Sequence, residues 1–526
     1  MMVVVEYLYE DMERLTGLSK RKIIEGLTEL GAPTEEEQEH EKLITELTPN
    51  RPDWFSMEGL ARTLKCYYSG KMTAYTSAKS DYKESVDSSV RKIRPYTVCA
   101  VVKELVFSEQ RIRDMILLQE KLLATLGRRV KKFGIGVYPL EAVAFPIKYI
   151  TMRSEEIQYT PLNYPHEASA SEILEKHPKG QEYGYLIKNA ERYPVFVDAK
   201  GKIMCLIPIV NSAETGQVMT TTKAIFIEVT GMDMNAILAA LNILTCTFVD
   251  MGGKVYSVEI NYPGKKIITP DLSPKKMRIE INNVNKLLGV KLDEKFIHKA
   301  LVRMGYAYKN GVVFVPPYRA DVMHEVDVIE DIAIVYGYNK FEPTMPNFFS
   351  CGKKRRRHPA NSILQGMGFL ETSTFILTNK DNVIGIGGNE VTEKINNPAG
   401  EEFNAVRVNL VADMLNILSL NKMKGLPQKF YEIGRVYDKK DREKLIFAVC
   451  DKQIVFADFR GYVQTLMHET KKRFEVRKKE MLIFDEECST EIIINESVVG
   501  ILGKVSKQLL EKFGIESDVY LCEIEI

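Results

Sequence analysis

The sequence lacks a dominant charge: 72 lysines and arginines stand against 71 aspartates and glutamates, a formal net charge of +1. A uniformly basic nucleic-acid binder is excluded, although a local basic patch is not. Glycine and proline are sparse, 33 and 21 residues of 526, which excludes collagen-like and low-complexity chains. No two of the eight cysteines are spaced as a CxxC pair, so neither a zinc ribbon nor a thioredoxin-like motif is present. Thiols scattered through a long chain are expected of a reduced, cytoplasmic protein. Long hydrophobic runs are missing too. The longest, Ala236 to Val249, is interrupted by Asn242, Thr245 and Thr247 and falls short of the roughly 20 apolar residues that span a bilayer. No membrane association is expected, and Val3-Val4-Val5 is too short an apolar run for a signal peptide.

Motifs for self-contained nucleotide or metal chemistry are absent as well. There is no GxxxxGK[ST] phosphate loop. Gly385-Ile386-Gly387 begins a GxGxxG but reaches Glu390 where the last glycine should stand. Neither GxSxG nor HExxH occurs, and no pair among the seven histidines has helical ligand spacing.

What is present suits a multidomain globular protein. Hydrophobic residues make up 45% and charged residues 27%, and 526 residues suffice for three or four domains. Residues 18–30 carry Ile23, Ile24, Leu27 and Leu30 at helical spacing, with Gly31 and Pro33 as stops. Thr48-Pro49-Asn50-Arg51-Pro52-Asp53 reads as a rigid turn before a helix capped by Ser56. Residues 72–92 are polar and serine-rich and read as a linker. A helix is expected over 109–126, and strands over 203–210, 224–229 and 255–260, closed by the turn Tyr262-Pro263-Gly264.

Residues 275–343 then read as strand (Met277 to Ile281), helix to Gly289, helix Asp293 to Met304, a hairpin at Asn310-Gly311, and a helix from about Asp327 to Tyr336. That order is winged-helix-like. After the basic run 353–357 (KKRRR), helices and strands alternate again, Leu410 to Leu420 being the clearest helix. The expected fold class is α+β and multidomain, divided into 1–85, 90–264, 270–345 and 358–526.

The densest constellation of charge runs from Tyr318 to Asp331. With a helix starting at Asp327, the carboxylates of Asp327, Glu330 and Asp331 share one face, and Asp321 precedes them. Carboxylates so close need a cation, and Mg²⁺, a hard ion that takes carboxylate oxygens, suits them. The same spacing also fits a capped helix start, or arginines of a partner chain as the cations. The run 353–357 could neutralise RNA phosphates or be a solvated linker. Arg128, Arg129, Lys131 and Lys132 could do the same or decorate a helix end.

Three ordered signatures carry a family resemblance. Asn50-Arg51-Pro52-Asp53, with Ser56 and Glu58-Gly59-Leu60-Ala61-Arg62, resembles an N-terminal signature of phenylalanine–tRNA ligase β subunits. Arg319-Ala320-Asp321 through Glu330-Asp331-Ile332-Ala333 and Tyr336-Gly337-Tyr338-Asn339 resembles that family's most distinctive segment. Asn397-Pro398, Arg407, Leu410 and Phe430-Tyr431-Glu432-Ile433-Gly434-Arg435 resemble its C-terminal, catalytic-like domain. Glu172 to Gly180 is similar to the archaeal and eukaryotic branch, and no OB-like insert is evident near the N-terminus.

The resemblance implies an (αβ)₂ heterotetramer that attaches phenylalanine to tRNA(Phe), with the ATP-dependent active site on the α subunit. It implies Mg²⁺ ligands at Asp321, Asp327, Glu330 and Asp331. It implies an editing domain around Pro208–Gly216 and Ile227–Gly231 that hydrolyses tyrosyl-tRNA(Phe), with Asn211 and Glu228 as site residues. Glu228 would end an apolar strand and bring its carboxylate into a cavity. The C-terminal domain is expected to be a class II synthetase-like antiparallel sheet with helices, catalytically silent because no arginine-ending third motif is found. A stand-alone deacylase and a non-enzymatic RNA-binding scaffold are the alternatives.

Overall fold

Local signals place most helix ends. Ser56 accepts a hydrogen bond from the Gly59 amide and starts the helix Met57–Ser69. Ser108 caps Glu109–Ala124 in the same way. Asn310 and Gly311 both take positive φ, +51° and +77°, as a two-residue hairpin turn between Ala307–Lys309 and Val312–Val315 requires. The computed structural model describes residues 3–37, 42–345, 352, 358–382 and 393–526. The run 353–357 and the Gly385-Ile386-Gly387 stretch lie outside the described residues. Residues 1–345 and 346–526 form two units.

In the first unit, Val3–Leu8, Lys42–Leu47 and Thr34–Glu37 make a small antiparallel sheet. A large mixed sheet follows. Its path runs Val210–Asn211, Ile203–Leu206, Tyr193–Val197, Ile147–Met152, Lys83–Val86, Lys254–Tyr262, Tyr96–Lys103, Ile225–Gly231 and Phe133–Pro139. Ser77–Ala78 and Lys265–Thr269 also pair with Lys254–Tyr262. The serine-rich stretch 72–92 is therefore not a linker. Its alternation Lys83-Glu84-Ser85-Val86 is a strand, exposed and buried by turns, paired on both sides. Polarity hid it, because one face of the alternation is polar.

The oily stretch 236–249 is the helix Met234–Asp250, which packs on Tyr96–Lys103 and Ile225–Gly231. Its buried Thr245 and Thr247 hydroxyls donate to Leu241 and Ile243 carbonyls one turn back, so the interior holds no orphaned hydroxyl there. Among the described residues no helix is long and apolar enough to cross a membrane. A third sheet, Lys275–Arg278, Val312–Val315 and Ala307–Lys309, carries the helices Ile281–Leu288, Glu294–Arg303 and Glu325–Tyr336. The strand ends sooner than expected, at Arg278, and the last helix starts two residues before Asp327.

The second unit is built on a seven-stranded sheet whose longer strands are all antiparallel: Leu370–Glu371, Gln428–Tyr437, Asp441–Asp451, Asp518–Glu525, Ser497–Val505, Phe484–Ile494 and Glu475–Lys478. Strand residues 445–450 (LIFAVC) are buried throughout. Ile446, Ala448 and Cys450 join a core with the helix Val411–Leu420, while Leu445, Phe447 and Val449 join one with Phe456–Glu469. Helices on both faces explain why this strand shows a continuous apolar run rather than an alternation.

Candidate functional site

A cavity of about 720 Å³ opens in the first unit, within the range of small-molecule sites. Cys205, Pro208, Asn211, Glu228 and Thr230 are among its walls. The two editing candidates, Asn211 and Glu228, therefore line one space, although 17 positions separate them. Glu228 does not end its strand. It is the middle residue of Ile225–Gly231, paired with Cys99 on one side and Gly136 on the other, so it is not an edge charge either.

Glu228 is 4% exposed, and its Oε2 has no hydrogen-bond partner. Burial and then the Glu84 carboxylate push its carboxyl up to about 8, against the opposing pull of Arg94 and Tyr138. Glu84, wholly buried, is itself raised by burial to about 7. The Cys99 thiol donates to Glu84 Oε2 at 2.5 Å, and Glu84 Oε1 is unpartnered. An acidic row thus crosses the sheet from Glu84 through Cys99 to Glu228. A carboxyl held neutral in such surroundings can donate to, or accept from, a hydroxyl on a bound ligand.

Asn211 lies on the first strand of that path, and the Tyr138 hydroxyl donates to its Oδ1 at 3.1 Å. Gly136 gives these groups room: a Cβ there would lie 2.5 Å from Glu228 Oε1 and 2.6 Å from the Tyr138 hydroxyl. Arg94, also buried, donates to the carbonyls of Val130 and Thr230. Sequence reasoning missed Glu84, Arg94, Gly136 and Tyr138. The two glycines within Phe133–Pro139 are the signal that could have found the close approach.

Of the expected metal ligands, Asp321 and Asp331 share one arginine and Asp327 belongs to a helix cap. Arg319, 5% exposed, forms a two-pronged pair with Asp321, at 2.9 and 2.7 Å, and reaches Asp331 Oδ2 at 2.8 Å. The Tyr306 hydroxyl donates to the same Asp331 oxygen at 2.5 Å. Asp327 Oδ2 accepts from the Met323 and His324 amides, both at 2.8 Å, in a capping box whose cap is His324. Glu330 is exposed. Asp321, Asp327, Glu330 and Asp331 are not gathered round one point in this arrangement, and among the described residues no group of three or more His, Cys, Asp or Glu is. Arg319, two residues before Asp321, is the cation that Asp321 and Asp331 face. Titration with Mg²⁺ is expected to leave thermal unfolding of the chain unmoved; a saturable rise in transition temperature would restore the ion set.

The N-terminal signature meets the same charges. Arg51 pairs with Asp53 at 2.9 Å, and Arg62 lies 3.6 Å from Asp53, pairs with Asp250 and stacks 3.8 Å from the Tyr318 ring centre. Burial pushes the Asp53 carboxyl up, but Arg51, Arg62 and Arg319 outweigh it and hold it below its ordinary value. In the second unit Arg407 binds Glu432 at 3.0 Å and Asp413 at 3.2 Å. Arg51, Asp53, Arg62, Arg319, Asp331, Arg407 and Glu432 of the signatures thus stand in buried ion pairs.

Comparison with known proteins follows this geometry. A family model described as "Phenylalanyl tRNA synthetase beta chain CLM domain" matches residues 350–526, and one described as "tRNA synthetase B5 domain" matches residues 277–338. The chain is 34% identical to the phenylalanine–tRNA ligase β subunit of Archaeoglobus fulgidus, over 100% of this chain and 98% of that protein. It is 33% identical to the β subunit of Methanosarcina acetivorans, over 100% and 98%. The crystal structure of an N-terminal fragment of the phenylalanyl-tRNA synthetase β subunit from Pyrococcus horikoshii matches with a TM-score of 0.60 and 35% identity. It covers 64% of this chain and all of the fragment.

Proposed function

The chain belongs to the phenylalanine–tRNA ligase β-subunit family, and so to an aminoacyl-tRNA synthetase of protein biosynthesis, and on that premise we propose that its cavity hydrolyses tyrosine wrongly attached to tRNA(Phe). The observation that carries this reading is the unpartnered Oε2 of Glu228, buried in a cavity wall. Phenylalanine and tyrosine differ by one hydroxyl, and an apolar pocket rejects an added hydroxyl poorly. A second pocket with a buried polar group awaiting a partner reverses the preference: tyrosine satisfies it, whereas phenylalanine leaves it unpaired. Glu228 would meet the phenolic hydroxyl. Asn211, oriented by Tyr138, would hold the ester carbonyl or the attacking water through its amide.

The partner is an α subunit in an (αβ)₂ heterotetramer in the cytoplasm, with ATP-dependent charging of tRNA(Phe) on that chain. The modules around 90–264, 270–345 and 358–526 serve as editing-like, winged-helix-like and silent class II synthetase-like parts. Any Mg²⁺ used by the assembly is assigned no step here.

Glu228→Ala in the assembled enzyme is expected to slow deacylation of tyrosyl-tRNA(Phe) by about 10- to 100-fold, the range of a lost hydrogen bond of about 1.5–3 kcal/mol to a buried charged or polar group. Phenylalanine charging should stay unchanged. Equal deacylation by variant and parent would remove Glu228 from the site. The chain alone should show no phenylalanine-dependent ATP–pyrophosphate exchange, and exchange by the purified chain would contradict the division of labour. A fragment 90–264 active without a partner would favour the stand-alone deacylase. Salt-dependent tRNA binding with neither charging nor deacylation would favour the scaffold.

A further inference from the structure

Asn211 stands on a strand of two residues, Val210–Asn211, at the edge of the large sheet. An edge strand that short fixes a side chain only if something braces its free side. On the sheet side Asn211 pairs with Cys205. On the free side the Leu162 amide donates to the Asn211 carbonyl at 2.8 Å, the Ala213 amide donates to the Thr160 carbonyl at 2.8 Å, and Pro161 bridges to Ser212. Leu162 also lines the cavity. The position of Asn211 is therefore set from outside the sheet, by the segment 160–162.

What holds that segment is His177, 4% exposed. Its Nδ1 accepts from the Lys179 amide at 3.1 Å and caps the helix Pro178–Tyr183. A ring nitrogen that accepts an N–H carries no proton, so the proton of the neutral imidazole is on Nε2. Nε2 stands 3.1 Å from the Leu162 carbonyl, which can only accept, and donates to it. The run Glu172 to Gly180, so far without a role, builds this fixture. The helix Ala170–Lys176 ends at His177, and Pro178 opens the next. A Cβ on Gly180 would lie 1.9 Å from the Ile173 carbonyl, so only glycine lets the second helix fold back on the first. The Tyr164 ring packs 5.6 Å from the imidazole.

We propose that His177 is a positioning residue for the deacylation: its Nε2–H holds the Leu162 carbonyl, and the Leu162 amide in turn holds the strand that presents Asn211 to the ester or the water. A helix cap alone asks for an acceptor, which asparagine, aspartate or serine supplies. Only a side chain with a second, donating nitrogen farther out ties the cap to another segment, here across 15 positions of the chain. His177 itself is not among the residues that line the cavity, so it acts through Asn211 and touches no substrate. The proposal rests on the reading of the cavity as a deacylation site.

The test uses the assembled synthetase and tyrosyl-tRNA(Phe). His177→Asn keeps an acceptor for the Lys179 amide but is too short to reach Leu162. His177→Gln carries an amide N–H to where Nε2 stood and gives up the cap. His177→Asn is expected to lower kcat for deacylation by about 10- to 100-fold, the cost of misplacing a reacting group by about 1 Å. KM should change less, since Asn211 acts on the reacting ester. His177→Gln should recover most of the loss, and phenylalanine charging should be unchanged in both variants. Added to Asn211→Ala, His177→Asn should cost little more, because both losses pass through one side chain. Parental deacylation by His177→Asn, equal loss in the two His177 variants, or a loss that adds in full to that of Asn211→Ala would each overturn the proposal. If His177→Asn does not fold, His177→Gln decides alone: the parental rate upholds the proposal and a reduced rate overturns it. Failure of the cavity reading shows separately, as undiminished deacylation by Glu228→Ala and by Asn211→Ala.

Discussion

Replacing Arg319 with alanine is expected to destabilise the first unit by about 3–5 kcal/mol, the cost of leaving buried charge uncompensated. The guanidinium is buried and is the partner of both Asp321 and Asp331. Removing it strands two carboxylates and deprives the Tyr306 hydroxyl contact of its balancing charge. Urea unfolding of the full chain should show the transition of residues 1–345 at clearly lower denaturant, with the second transition in place. The cause can be isolated. Arg319→Met combined with Asp321→Asn and Asp331→Asn removes the cation and both anions together and should recover much of the loss, since neutral groups of similar shape replace buried ion pairs at little cost. If the triple variant is as unstable as Arg319→Ala, lost packing rather than stranded charge is the reason.

Glu228→Gln is expected to make the protein more stable, and increasingly so as pH rises. The carboxyl titrates near 8 in the folded protein against an ordinary value of 4.5, because burial and Glu84 disfavour its charge. Between those values the folded state keeps a proton that the unfolded chain has released. Stability therefore falls with rising pH across that window and levels off above it. Glu84, raised by burial to about 7, acts with the same sign. Glutamine keeps the shape and removes Glu228's share. The difference between variant and parent should be near zero below pH 4.5 and grow by up to about 1.4 kcal/mol per pH unit toward pH 8. Urea midpoints at pH 5, 6.5 and 8 measure it, and a difference that does not change with pH would show that Glu228 is ionised throughout. The stability given up at neutral pH by this carboxyl is consistent with a group kept for binding rather than for folding.

The candidate site was half legible. Asn211 and Glu228 were reached through the family resemblance, and both do line the cavity. Glu84 did not stand out, because Lys83-Glu84-Ser85 resembles any polar connection until the strand is seen paired on both sides. Arg94, Gly136 and Tyr138 come from segments whose only connection with Glu228 is sheet pairing and packing, at separations of roughly 90 to 130 residues. The acidic run 321–331 was visible as a charge problem; its spacing fitted a capped helix start, a partner's arginines or a metal ion, and the resemblance implied the ion. What only three dimensions showed is Arg319, whose side chain reaches both Asp321 and, ten residues later, Asp331.

Taken alone, the residue order determined what depends on near neighbours: the Ser56 cap, the helix that begins at Glu109, the Asn310-Gly311 turn, and a family resemblance carried by short motifs. These are settled by backbone preferences and by amides that must find an acceptor within a few residues. Only the tertiary structure decided which strand is central, which carboxyl is left without a partner, and which arginine answers which acid. Sheet register and charge pairing join residues distant in the chain, and their energies depend on burial, which has no value until the chain has closed around the group.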